Sequence, residues 1–264
     1  MKTKIEWTDE TWNPVTGCTK VSPGCEHCYA ERIAERFRGV PGHPYENGFD
    51  LQLRPERLSE PSRWRKPRVV FVCSMADLFH QDVPDHYLTE VFVTMQKNRK
   101  HIFQVLTKRP HRMLKFLKDE WPWTVPENVW LGVSMEGSGY LWRADVLRLI
   151  PASIRFLSIE PLLSKIDDLD LKGIHWVIVG GESGPDARYM DATWPRAIRD
   201  QCAEAGVPFF FKQWGAYNEE GFRVGKKAAS NVLDGRQHLA VPSVDSVAIW
   251  PRLRPDLPRP NIHD

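Results

Sequence analysis

The chain has 264 residues, 42% of them hydrophobic and 27% charged, the balance of a globular protein with a sizeable core rather than of a disordered segment or a coiled coil. Its 36 basic and 34 acidic side chains leave a net charge of +2, so no whole-molecule field calls for a nucleic acid or a membrane, and such a partner must be argued from local patches. No apolar run reaches the ~18 residues of a membrane span and the N-terminus lacks the apolar stretch of a secretory leader, so a cytoplasmic location without membrane contact is expected.

Short runs rich in Val, Ile, Phe and Leu predict buried strands, and the stretches between them predict helices. In chain order the reading gives a short strand at 12–16, a helix at 28–37, a strand at 69–73, a helix at 85–98 and a strand at 101–106. A helix at 112–117, a strand at 129–133, a helix at 138–149, strands at 154–158 and 176–179, a helix at 193–205 and a strand at 208–211 complete the series. Six or seven βα units in succession predict an α/β fold. The preferred form is a partial or complete (β/α) barrel of six to seven parallel strands, with an open doubly wound sheet as the alternative. Residues 1–215 make this barrel. Residues 216–264 lose the alternation and read as an extension packed on the barrel, with a loose tail ending in LRPDLPRPNIHD.

In either form, function belongs at the carboxyl ends of the strands. Those ends carry Asp77; Lys108 and Arg109; Ser134 and Glu136; Glu160; Gly180, Gly181 and Glu182; and Lys212. Loops are polar in any protein, yet Glu160 and Lys212 directly follow apolar runs, where a charge costs several kcal/mol unless it is paired or faces a ligand. The Gly180–Gly181 pair suits close approach of the backbone to a bound group, although a Gly-Gly turn after a strand is also simply a turn.

Three of the five cysteines crowd into eleven residues as Cys18, Cys25 and Cys28, a C-x6-C-x2-C pattern with Pro23 and Gly24 in the gap. Soft thiolates suit iron, and three of them on a cubane [4Fe-4S] cluster leave the fourth iron open to a small molecule. A structural zinc site would need a fourth ligand, for which a distant His80 could serve. Cys73 and Cys202, inside a predicted strand and helix, read as core residues.

The segments IEWTDETWNPVTGC, SPGCEHCYAE, LTKRP, VWLGVSME, RFLSIEPLL, WVIVGGESG and VPFFFKQWG resemble the phage-associated Gp37/Gp68 family, also called a three-cysteine-motif family, from Ile5 to about Pro242. That family is itself similar to radical S-adenosylmethionine (SAM) enzymes, which carry three cysteines in the loop after the first strand of a partial barrel. The resemblance implies a [4Fe-4S] cluster on Cys18, Cys25 and Cys28 whose open iron chelates SAM. It places Ser134 and Glu136 in the region of ribose-binding residues and lets Gly180 and Gly181 pass beside the adenine. The six-residue gap enlarges the common C-x3-C-x2-C spacing. The Gly-Gly-Glu stretch follows a late strand rather than the second, so no amino-group role passes to Glu182.

Under this reading, reductive cleavage of SAM generates a radical that abstracts hydrogen from a substrate, with Asp77, Lys108, Arg109, Glu160 and Lys212 as substrate or proton-transfer contacts. An electron donor and a separately encoded companion protein are further expected partners. Eight basic residues between Lys97 and Lys118, and a second group from Arg54 to Arg68, offer phosphate contacts to a nucleic acid, with Trp64, Trp121 and Trp123 to stack bases; a solvated helix face is the plainer account. Two rival readings stay open: a nucleic-acid- or partner-binding module whose cysteines only staple a loop through zinc or an inert iron–sulfur centre, and a hydrolase using Asp77, Glu160 and Lys212.

Overall fold

A computed structural model of the chain describes residue 3 and residues 5–242. The strands are β1 (Glu10–Trp12), β2 (Val15–Thr16), β3 (Gln52–Leu53), β4 (Val69–Val72), β5 (Ile102–Thr107), β6 (Val129–Met135), β7 (Arg155–Ile159), β8 (Trp176–Gly180), β9 (Phe209–Gln213), β10 (Val232–Leu233) and β11 (Arg236–Gln237). The helices are α1 (Tyr29–Glu35), α2 (Glu60–Arg63), α3 (Asp85–Lys97), α4 (Pro110–Lys115), α5 (Trp142–Arg148), α6 (Thr193–Glu204) and α7 (Lys226–Ala229).

Seven strands form one sheet in the order β1-β4-β5-β6-β7-β8-β9. The pairs β1/β4, β4/β5, β7/β8 and β8/β9 are parallel. Each new strand is added beside the last, and the order never reverses. A doubly wound sheet needs such a reversal, so its absence decides for the barrel, and among the described residues β1 and β9 stand at the two ends of the strand order without pairing, which makes the barrel partial.

Local sequence explains the elements. All four residues of β4 and all seven of β6 are buried, as expected of strands covered on both faces. Helix α3 buries Tyr87, Leu88, Val91, Phe92 and Met95, a stripe at three- and four-residue spacing. Helix α6 ends at Gly206 with φ +65°, where Val207 N–H closes back on the Cys202 carbonyl at 2.9 Å, the glycine-dependent stop of a Schellman turn.

The predicted first strand divides in two. Pro14 has no N–H to continue the ladder, so β1 joins the main sheet while β2 turns away to pair antiparallel with β3. The later strands run past the apolar stretches that announced them, and Ser134, Gly180 and Lys212 therefore lie within β6, β8 and β9 rather than beyond them. Ladder bonds are made by the backbone, and side-chain polarity does not end them. Cys73, expected inside a strand, instead leaves β4 with φ +60°.

Two compact units divide the chain, Met1–Gly132 with Leu149–Ser153, and Val133–Arg148 with Ile154–Asp264. In the first, Phe92 packs against Phe116 and Trp121 with ring centroids 5.3 Å apart in each case. In the second, Trp176 lies 5.8 Å from Phe156 and 6.0 Å from Phe210. Beyond residue 216, β10 and β11 form a hairpin, Leu239 bridges Phe210, and the Trp176 indole N–H donates to the Ala240 carbonyl at 2.9 Å. The loose tail expected at the end of the extension, LRPDLPRPNIHD, lies outside the described residues.

Candidate functional site

The cysteine loop leaves β2 through Gly17, which holds φ +81° and donates its N–H to the Met75 carbonyl at 3.0 Å. A Cβ there would stand 2.2 Å from the Asp50 carbonyl oxygen, so only glycine lets the chain pass. Cys18 N–H then donates to the Phe49 carbonyl at 3.2 Å. Pro23 opens a 3-10 turn over Pro23–Cys25, with Ser22 Oγ 3.8 Å from Cys25 Sγ. Cys28 stands at the N-terminus of α1 and packs against Ala30, Ala34 and Met75, and the Tyr29 hydroxyl donates to the Ser74 carbonyl. The loop is thus tied to the segment following β4.

All five cysteines are free. Cys18, Cys25 and Cys28 are partly exposed, whereas Cys73 and Cys202 are buried, and burial pushes the Cys202 thiol up to about 12 and that of Cys73 higher. Burial also raises the Cys18 and Cys28 thiols, with the Asp77 carboxylate adding to the rise at Cys18 and Arg109 opposing it. Among the described residues, no group of three or more His, Cys, Asp or Glu side chains is gathered at one point as a metal site.

Asp77 and Arg109, from the ends of β4 and β5, meet beside Cys18. Asp77 Oδ1 accepts from Thr107 Oγ1 at 2.7 Å and Phe79 N–H at 3.0 Å, and Oδ2 accepts from Lys108 N–H at 3.0 Å and Arg109 Nη1 at 3.1 Å. Arg109 Nη1 also lies 3.5 Å from Cys18 Sγ, and Nη2 donates to the Thr19 carbonyl and Oγ1 at 2.9 and 3.0 Å. With four donors on its oxygens, Asp77 anchors the guanidinium. His80 is fully buried. Its Nδ1 accepts from Asp82 N–H at 3.2 Å, which leaves Nε2 to donate to Thr19 Oγ1 at 2.8 Å. Both ring nitrogens being engaged, His80 is not available as a fourth zinc ligand. Thr19 escaped the sequence reading because a threonine hydroxyl carries no pattern of its own; Thr107 stands within LTKRP at the end of its strand, but only its neighbours Lys108 and Arg109 were given a role there.

In the second unit, Lys212 Nζ contacts both oxygens of Glu160 at 2.6 and 2.9 Å, so the two charges singled out by their apolar surroundings neutralise each other. Ser134 Oγ donates to the Glu160 carbonyl at 3.2 Å. Glu136 is buried with Arg143, whose Nη1 donates to it at 3.1 Å and to the Ser134 carbonyl at 2.7 Å while the guanidinium lies over the Tyr140 ring. Arg143 was not foreseen, although its aromatic setting in GYLWR is visible in the sequence. A Cβ on Gly181 would stand 2.0 Å from the Trp214 carbonyl oxygen, so this glycine has a reason inside the chain; one on Gly180 would meet the Glu160 carboxyl at 3.4 Å. Glu182 is clamped by Arg188, whose backbone N–H, Nε and Nη2 all donate to it.

The family described as "Protein of unknown function (DUF5131)" matches residues 2–242. The chain belongs to that family. Among curated proteins none matches it. Among solved structures it is similar to a spore photoproduct lyase variant, with 12% identity, a TM-score of 0.45, and coverage of 68% of this chain and 57% of that one. It is also similar to a spore photoproduct lyase complexed with dinucleoside spore photoproduct, with 11% identity, a TM-score of 0.43, and coverage of 72% and 59%. The matches thus span under two thirds of the length of those solved chains.

Among the described residues, no helix is long and apolar enough to cross a membrane. The basic stretches are partly consumed by the fold: Arg109 is anchored as above, Arg112 pairs with Asp85 at 2.5 Å, and Arg68 pairs with Glu10 at 2.8 Å. Trp121, expected to be able to stack bases, is 3% exposed and belongs to the aromatic core, whereas Trp123 is 52% exposed.

Proposed function

We propose that this DUF5131 protein is a radical-SAM-like enzyme that holds a [4Fe-4S] cluster on Cys18, Cys25 and Cys28. The observation that carries the reading is one loop, following the first strand of a partial (β/α) barrel, with three free and partly exposed thiols beside an anchored guanidinium. The donor set fits the group: three soft sulfurs, none in a disulfide and none deep in the core.

The cluster, when bound, supplies one electron and an open coordination position to SAM. The chain's own residues do the rest. Gly17 turns the loop back on the segment after β4, and Asp77 holds Arg109 against Cys18. Ser134, Glu136, Gly180 and Gly181 are proposed as nucleoside contacts. Lys108 and the Glu160–Lys212 pair, with Asp77 and Arg109, are proposed to contact substrate or move protons. We further place the protein in the cytoplasm, in a phage or mobile-element setting akin to the Gp37/Gp68 family, with a nucleic acid as candidate substrate and with an electron donor and a companion protein as partners.

The test is anaerobic purification and reconstitution, with iron, sulfide and zinc measured and 5′-deoxyadenosine followed after SAM and dithionite. Iron near four per chain, lost in Cys18→Ala, Cys25→Ala and Cys28→Ala, together with release of the nucleoside, is expected. One zinc per chain and no iron overturns the proposal.

A second reading is a nucleic-acid- or partner-binding module in which the metal only staples the loop. It is favoured by the anchoring already present, from Gly17 to Met75 and from Tyr29 to Ser74. It expects no SAM binding and unfolding of the loop when the cysteines are replaced.

A further inference from the structure

We infer that Arg109 is a positioning residue for the cluster, making Cys18 the electrostatically distinct ligand and raising the cluster's reduction potential. The inference rests on the cluster reading above and adds to it a residue and a role.

The geometry is asymmetric among the three sulfurs. Cys18 receives a guanidinium N–H at 3.5 Å, within range for a donor to sulfur, and a backbone hydrogen bond from Asp77, while Cys25 has the Ser22 hydroxyl at 3.8 Å and Cys28 takes backbone hydrogen bonds from Ala30 and Glu31, so the cationic donor falls on Cys18. The guanidinium cannot swing away cheaply. Its Nη1 is held by Asp77 and its Nη2 by both oxygens of Thr19, the residue after Cys18, and its side chain is 12% exposed. Asp77 is in turn fixed by Thr107 Oγ1 and by two backbone N–H groups. The fork is therefore aimed before any ligand arrives, which is the advantage of arginine over lysine at such a place.

Hydrogen bonds to cluster sulfurs are among the levers that set reduction potential. One-electron reduction adds negative charge to the cluster, and an N–H dipole of a cation pointing at a ligating sulfur stabilises the reduced form more than the oxidised form. Asp77 compensates the net charge of Arg109 at longer range, leaving the short-range hydrogen bond as the main effect.

The experiment uses reconstituted full-length protein titrated with dithionite and followed by electron paramagnetic resonance, comparing wild type, Arg109→Gln, Arg109→Lys and, as a control, Arg112→Gln. Arg109→Gln is expected to lower the reduced-to-oxidised ratio tenfold at fixed potential, which corresponds to about 59 mV. Arg109→Lys should fall between, since it keeps the charge and loses the fork, and Arg112→Gln should match wild type. If Arg109→Gln retains no cluster, the comparison of Arg109→Lys with wild type decides. Iron-loaded wild type and Arg109 variants at one potential overturn the role of Arg109 alone, whereas wild type without iron overturns the cluster reading itself.

Discussion

Lys212 Nζ lies 2.6 Å from Glu160 Oε1 and 2.9 Å from Oε2, so an ammonium within β9 closes on a carboxylate just past the end of β7. The two residues are 52 positions apart, and their side chains are 16% and 21% exposed. A pair in this setting stabilises mainly by sparing each charge from being half-buried alone.

Replacing Lys212 with Met therefore leaves Glu160 without its counter-charge. The expected loss is about 2 kcal/mol, below the figure for a fully buried pair because water still reaches the site. Urea denaturation of Lys212→Met beside the Glu160→Gln/Lys212→Met double variant measures it, and the double variant should recover most of the loss. Wild-type stability in the single variant would show that the pair holds nothing in place.

The two adjacent glycines should respond differently. Gly181→Ala drives a Cβ to within 2.0 Å of a backbone carbonyl and is expected to cost about 3 kcal/mol. Gly180→Ala meets only the end of the Glu160 side chain at 3.4 Å and should cost under about 1.5 kcal/mol, so any loss of SAM affinity in that folded variant reports a ligand role directly. Equal destabilisation of the two would contradict this account of Gly181.

His101 makes stability depend on pH. It is fully buried, its Nδ1 accepts from Arg68 N–H at 3.1 Å, and its Nε2 faces the Pro61 carbonyl at 3.1 Å. Burial lowers its pKa from 6.5 to about 4. As pH falls the unfolded chain takes up the proton first, so the stability conferred by the neutral ring is complete above about 6.5 and is lost between 6.5 and about 4. At roughly 1.4 kcal/mol per pH unit the loss amounts to about 3 kcal/mol. Guanidinium melts near pH 7.5 and about pH 5 should differ more for wild type than for His101→Gln. A parallel response of the two proteins would refute the assignment.

Thiol labelling should divide the cysteines as exposure does. In native metal-free protein Cys18, Cys25 and Cys28 are expected to react with iodoacetamide, while Cys73 and Cys202 react only after unfolding. Mass spectrometry of tryptic peptides reads the outcome, and early modification of Cys202 would place it outside the core.

The strands of the main sheet and helices α1, α3, α4, α5 and α6 were legible in the sequence because burial on both faces of a parallel sheet requires continuous apolar runs, such as VVFV and WVIVG, and those runs are local, whereas the short β3, β10, β11, α2 and α7 carry no such run and were not read. So was the cysteine loop, whose three thiols and turn residues lie within eleven positions. What the runs did not show was where each strand stops, since backbone pairing carried β6 through Ser134 and β9 through Lys212.

By itself, then, the sequence determined the βα series and the presence of three clustered thiols. Only the tertiary structure decided which charges answer one another. Arg109 reaches Cys18 across 91 positions, Lys212 reaches Glu160 across 52, and Trp121 turns into the core instead of toward a base. The physical reason is range: periodicity and turn chemistry act over a few residues, whereas a buried charge takes whatever partner the folded sheet brings within hydrogen-bonding distance.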